Sequence, residues 1–133
     1  MKNYIVVHHT VSNASAAELA TQKKYHRIID RDGKIYYSIP YGAPGAATFM
    51  TNSQTINIAL HGNFDFHDPS NHALASLRST LRALLIQYPH AILTDHQNMG
   101  ARFTPVRFRY KTACCGVRLR SWLSRNFNEF RRH

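Results

Sequence analysis

Cysteine is scarce in this chain, and the two it has, Cys114 and Cys115, stand side by side. Neighbours in sequence cannot staple distant parts of a fold and a vicinal disulfide is strained, which excludes a disulfide framework and leaves metal ligation as the better use. Long apolar runs are missing too. The opening MKNYIVVHHTVS has one early Lys and a short apolar run, too little for a signal-peptide core or a membrane span, so the expectation is a product made in the cytoplasm without an export signal. Repeats, low-complexity tracts and linkers are absent, and 133 residues suit one domain spanning 1–133 that buries roughly two thirds of its unfolded surface. Acidic residues are few: 7 Asp and Glu face 17 Lys and Arg, a formal net charge of +10. Much of that excess falls late, where Arg102, Arg107, Arg109, Lys111, Arg118, Arg120, Arg125, Arg131 and Arg132 stand against Glu129 alone. Such a field attracts polyanions without choosing among them, and no arrangement resembling a nucleic-acid module accompanies it. Anionic envelope polymers or lipid are expected partners by charge alone, and a specific nucleic-acid partner is not.

What is present alternates between strands and helices. Tyr4-Ile5-Val6-Val7-His8-His9 reads as a strand, and Ser15-Ala16-Ala17-Glu18 has capping-box spacing for a helix from Ser15 to Lys24. Two β-prone runs, 25–29 and 34–37, flank Asp32-Gly33 and predict a hairpin. Residues 42–54 read as an irregular surface segment, followed by a strand at 56–60. Asp68-Pro69 offers an N-cap and first-turn proline to a helix whose Leu74, Leu77, Leu81, Leu84, Leu85 and Tyr88 recur at three- and four-residue steps. Pro89 stops it, Ala91–Thr94 makes a strand, and 97–110 reads as a long connection. Leu119, Trp122, Leu123, Phe127 and Phe130 mark the stripe of a last helix. The predicted fold is α/β, a central mixed β-sheet flanked by helices.

Three residues stand where chemistry can use them. His8 ends the first strand, His96 closes the apolar run 91–95, and Cys114 precedes the last helix. Two imidazoles and a thiolate are an incomplete tetrahedral shell. Structural zinc takes four protein ligands, whereas hydrolytic zinc keeps three and an open position, so the set points to a zinc hydrolase with one Zn2+ per chain. On a regular strand His9 faces away from His8, and it and His26 read as structural residues or supports of a ligand. His61, His67, His72, His90 and His133 show no ligand-like pairing. The glycines at 42–45 make a turn, because the Lys and Ser/Thr of a phosphate loop are absent.

The blocks VVHHT, YHRIIDRDGKIYY, INIALHGNFD, DH and KTACCG, followed by a Trp-containing helix, resemble in order the zinc-dependent N-acetylmuramoyl-L-alanine amidases, the family of amidase-type phage lysozymes and peptidoglycan recognition proteins. Residue by residue, the resemblance implies zinc on His8, His96 and Cys114 and a catalytic tyrosine at Tyr25. Thr112 matches a position held by Thr or Lys in active relatives, and Lys111 or Thr112 is expected to relay protons with Tyr25. The implied reaction is hydrolysis of the bond between N-acetylmuramic acid and L-alanine in peptidoglycan. Because no export signal and no separate wall-binding module are read, the expected role is that of a phage or prophage endolysin that acts on the wall after release, with a monomer as the default state. The alternative is a non-catalytic peptidoglycan-binding protein on the same fold.

The chain departs from the family pattern at several places. Cys115 stands where the family usually has Pro and is a competing ligand, and the interval from His96 to Cys114 is longer than in compact relatives. A second alignment sets Thr104-Pro105 at the Cys-Pro position, which deletes a ligand but leaves the TACCG block unexplained. Ala47 falls near a usual histidine, and His61 at a usually apolar place. These last two bear on substrate contacts more than on the metal. Cys114 is expected to be kept as thiolate by the start of the last helix.

Overall fold

The computed structural model describes residues 2–47, 52–103 and 114–131. In chain order these form β1 (Tyr4–His9), α1 (Ala16–Thr21), β2 (Arg27–Ile29), β3 (Ile35–Tyr37), a 3-10 turn at Asn52–Gln54, β4 (Thr55–Leu60), α2 (Asn71–Gln87), β5 (Ile92–Asp95), α3 (His96–Phe103) and α4 (Val117–Asn126). The strands make one sheet in the order β3-β2-β4-β1-β5. β1 runs parallel to β4 and β5, β2 parallel to β4, and β3 antiparallel to β2, so the sheet is mixed as the sequence predicted. No helix among the described residues is long and apolar enough to cross a membrane.

The continuous apolar run of β1 belongs to a central parallel strand, covered on both faces. Alternation then sorts its side chains. Ile5 and Val7 join Ile56, Ile58 and Leu60 of β4 against Leu77, Leu81 and Leu84 of α2 and Leu119 and Leu123 of α4. The opposite face is smaller, with Ile28, Ala59 and Tyr25 under Ala16 and Leu19 of α1. His8 shares that α1 side, and His9 the other.

Several boundaries differ from expectation, each for a local reason. α1 is capped by Ser15, whose hydroxyl accepts from Glu18 N at 3.1 Å, but it ends at Thr21 because Lys23 turns into the left-handed region at φ 55. β2 begins at Arg27, leaving Tyr25 and His26 in a bend before it. α2 is capped by Ser70, not Asp68: the Ser70 hydroxyl accepts from Ala73 N and donates to Arg31 O, while Asp68 pairs with Arg118. The connection expected at 97–110 starts as helix α3, since the Asp95 carboxylate accepts from Asn98 N at 2.9 Å in N-cap fashion. α4 stops at Asn126, where Phe127 becomes extended, and Phe130 instead bridges to Leu93 beside β5.

Candidate metal centre

β1 and β5 are adjacent and parallel, with Val7 in register with Asp95, so both strands deliver their next residue to the same edge of the sheet. Those residues are His8 and His96. Their rings lie 4.8 Å apart between centroids. Cys114 comes in from the segment ahead of α4 and is tied to both strands: His9 N donates to its sulfur at 3.1 Å and Gln97 N to its carbonyl at 2.8 Å. One ligand atom from each of His8, His96 and Cys114 lies within 4.8 Å of the others, the sole such group among the described residues.

The donor set fits zinc. Ligand atoms of a tetrahedral zinc, with bonds of about 2.0–2.3 Å, stand roughly 3.3–3.8 Å apart, so a group within 4.8 Å closes on an ion by small side-chain movements. Cys115 is not part of it. Its thiol is fully buried in the main core, with Sγ 4.0 Å from Asp95 Oδ2.

Burial controls the protonation of the metal-free site. It holds the His8 imidazole well below its ordinary value, with His96 adding to the effect, and lowers His96 to about 4 with help from Lys24. The same burial pushes the Cys114 thiol up to about 12, against the opposing hydrogen bond from His9. In the metal-free chain Cys114 sits ahead of the Gly116 N-cap and desolvation outweighs the helix, so the thiolate expected with zinc bound has to form as the ion draws off the proton. Both imidazoles are therefore ready as ligands near neutrality and the thiol must lose a proton. Calorimetric zinc titrations in buffers of different ionisation enthalpy should show release of about one proton, with affinity rising about tenfold per pH unit around neutrality. No proton release would mean that the thiol is not a ligand.

Tyr25 stands beside the group, its ring 5.2 Å from that of His8, with Lys24 Nζ 5.6 Å from the tyrosine ring. Burial, then the Cys114 charge, pushes its hydroxyl up to about 12, so the phenol stays protonated near neutral pH. His9 and His26 have structural positions. His9 Nδ1 accepts from Phe64 N, and a Cβ on Gly116 would come within 2.8 Å of it. His26 Nδ1 accepts from Asn57 N, and its Nε2 donates to Ala43 O. Lys111, Thr112 and Thr104-Pro105 lie outside the described residues.

Sequence reasoning missed the residues behind the ligands. Asn57 Oδ1 lies 2.8 Å from His8 Nε2. Asp95, fully buried, takes a short hydrogen bond from Arg120 Nε, and Arg120 Nη2 also reaches Cys114 O at 3.4 Å. Asp95 carried a signal, an Asp three residues ahead of the Asn98 amide it caps. Asn57 and Arg120 carried none, because their partners are remote in the chain.

Residues 2–114 match the family described as N-acetylmuramoyl-L-alanine amidase, a match that ends on Cys114. Among solved structures, the chain resembles the N-acetylmuramoyl-L-alanine amidase LysC from Clostridium intestinale URNW, with 27% identity and a TM-score of 0.74 over 93% of this chain and 84% of that one. It shares its fold with Drosophila peptidoglycan recognition protein SA, at 22% identity and a TM-score of 0.77 over 98% of this chain and 81% of that one. A peptidoglycan recognition protein of Bombyx mori is 38% identical over 55 residues, 41% of this chain and 28% of that relative.

Proposed function

Since the chain belongs to the N-acetylmuramoyl-L-alanine amidase family, we propose that it is a zinc-dependent hydrolase of the amide bond between the lactyl group of N-acetylmuramic acid and the L-alanine of the stem peptide. Peptidoglycan, hydrolysed or bound, is the ligand that family membership supports. The observation that carries the catalytic reading is the convergence of His8, His96 and Cys114 within 4.8 Å, three protein ligands being the number that a hydrolytic zinc takes. Hydrolysis adds water across the C–N bond, leaving a carboxylate on the lactyl group and a free amine on L-alanine.

Zinc, which His8, His96 and Cys114 would hold, would supply Lewis acidity toward an amide carbonyl and toward water. The chain's own contribution is placement and hydrogen bonding. The Tyr25 hydroxyl, kept protonated by its burial, donates to the oxygen that gains charge as the amide carbon becomes tetrahedral. Lys24, whose Nζ lies 5.6 Å from the Tyr25 ring, adds a positive charge felt by both imidazoles and the thiol. Lys111 or Thr112 is proposed to relay protons with Tyr25.

Tyr25→Phe should retain one zinc per chain while the release of stem peptide from purified peptidoglycan falls by about 10²–10³. Activity at the wild-type level in that variant would remove Tyr25 from the mechanism. A wild-type chain that binds peptidoglycan but takes up no zinc would be a recognition protein. In the cell the proposed role is that of a phage or prophage endolysin, made in the cytoplasm and reaching the wall on release. Arg78 and Arg125, on α2 and α4, supply positive charge for attraction to anionic envelope polymers.

A further inference from the structure

Asn57 is a buried amide in the middle of β4, in a stretch where every other position is Thr, Ile, Ala or Leu. A buried amide without hydrogen-bond partners is costly. This one is held on several sides. β4 pairs Asn57 with Val6 and Ala59 with His8, so Asn57 and His8 project from the same face as diagonal neighbours. The contact between Asn57 Oδ1 and His8 Nε2 is 2.8 Å. Nδ2 donates to Thr55 Oγ1 at 3.1 Å, the main-chain N donates to His26 Nδ1, and the main-chain O accepts from His26 N. The 42–47 loop closes over the amide at Gly45, where a Cβ would lie 3.2 Å from Asn57 Nδ2 and 2.7 Å from Lys24 O. Gly45 is required by that approach.

The contact limits what His8 can do. A neutral imidazole has one N–H and one lone pair, and only the lone pair can bind a metal. If the amide nitrogen faced His8 Nε2, it would consume the lone pair and leave Nδ1 protonated, so His8 would not be a ligand. With Oδ1 facing it, Nε2 keeps its proton and Nδ1 is open. Resting on the zinc-amidase reading above, we propose that Asn57 is a positioning residue: it accepts the Nε2 proton of His8 and reserves Nδ1 as the atom offered to zinc. Partners of this kind fix the tautomer and ring orientation of metal-binding histidines.

The test uses the full chain labelled with 15N-histidine, recording two-bond proton–nitrogen correlations before and after one equivalent of zinc. His8 should hold its proton on Nε2 in both states, with the zinc-induced shift on Nδ1. In parallel, chelator competition gives zinc affinity for two variants whose metal-free Tm is also measured. Asn57→Asp, which keeps the acceptor and removes the donor, should bind zinc within about threefold of wild type, while Asn57→Leu should lose about 10–100-fold. Zinc on Nε2, or Asn57→Leu binding as tightly as wild type, would overturn the inference and leave the amidase reading standing. Should Asn57→Leu not fold, the wild-type spectrum and Asn57→Asp still decide, since an amide that donated to His8 would hold the wild-type proton on Nδ1 and make the Asp variant gain zinc affinity, and either result overturns the inference. A wild type that takes up no zinc overturns the zinc reading itself, and this inference with it.

Discussion

Cys114→Ser should abolish zinc binding and hydrolysis, whereas Cys115→Ser should retain about one zinc per chain. The two thiols are adjacent in sequence and both buried, but their sulfurs have different neighbours. Cys114 faces His8 and His96 and receives the His9 main-chain N–H at 3.1 Å. Cys115 lies in the main core with its sulfur toward Asp95. Loss of a supporting residue costs roughly 10–100-fold in zinc affinity, so loss of a ligand should exceed about a hundredfold, and the two remaining imidazoles cannot hold zinc through purification. Serine at 115 puts a hydroxyl where it can donate to Asp95, at a stability cost of about 1–3 kcal/mol if that bond does not form. Zinc content, measured on the two variants beside wild type, decides the matter. Zinc lost with Cys115→Ser and kept with Cys114→Ser would reverse the ligand assignment.

Arg120→Leu should lower stability by about 3–5 kcal/mol, because it leaves the Asp95 carboxylate buried without its cation. In a chain of this size that corresponds to a fall in Tm of about 10 °C or more. A buried ion pair adds little net stability over a well-packed apolar pair; removing one partner is what costs. The effect should extend to the metal. Asp95 caps the helix that begins with His96, and Arg120 also reaches the Cys114 carbonyl, so one guanidinium braces two of the three ligands. Zinc affinity should therefore fall beyond what Tm alone predicts, and Arg120→Lys should recover only part, since an ammonium cannot match the two directions of the guanidinium. Urea unfolding with an unchanged m value, together with chelator competition, measures both effects. Wild-type stability in Arg120→Leu would show that the pair carries no weight.

Much of the fold was legible because its signals are local. The apolar run of β1, the Asp32-Gly33 hairpin and the three- and four-residue steps of α2 each declare a face through a short-range period, and the structure has all three. The errors fell where one side chain's contact overrides the period. Phe127 and Phe130 keep helical spacing, yet the backbone is already extended at Phe127 and Phe130 goes to Leu93. Asp68-Pro69 has the composition of a helix start, but the hydroxyl of Ser70 reaches Ala73 N. The start of α3 depends on the Asp95 carboxylate accepting from Asn98 N, a single contact within a stretch that has no apolar period of its own.

The candidate site divides in the same way. Its ligand types and their positions at element ends were readable from His8, His96 and Cys114 alone, since strand ends and helix starts follow from local pattern. What the chain could not declare was the hydrogen-bond partner of His8 and the ion pair behind His96 and Cys114. The His8–Asn57 contact spans 49 residues and the Asp95–Arg120 contact 25. Sequence by itself determined which elements form and which chemical groups they carry to the sheet edge. Only the tertiary structure decided how those groups are oriented and protonated, because hydrogen bonds between remote residues and the withdrawal of water on burial exist only once the chain has closed on itself.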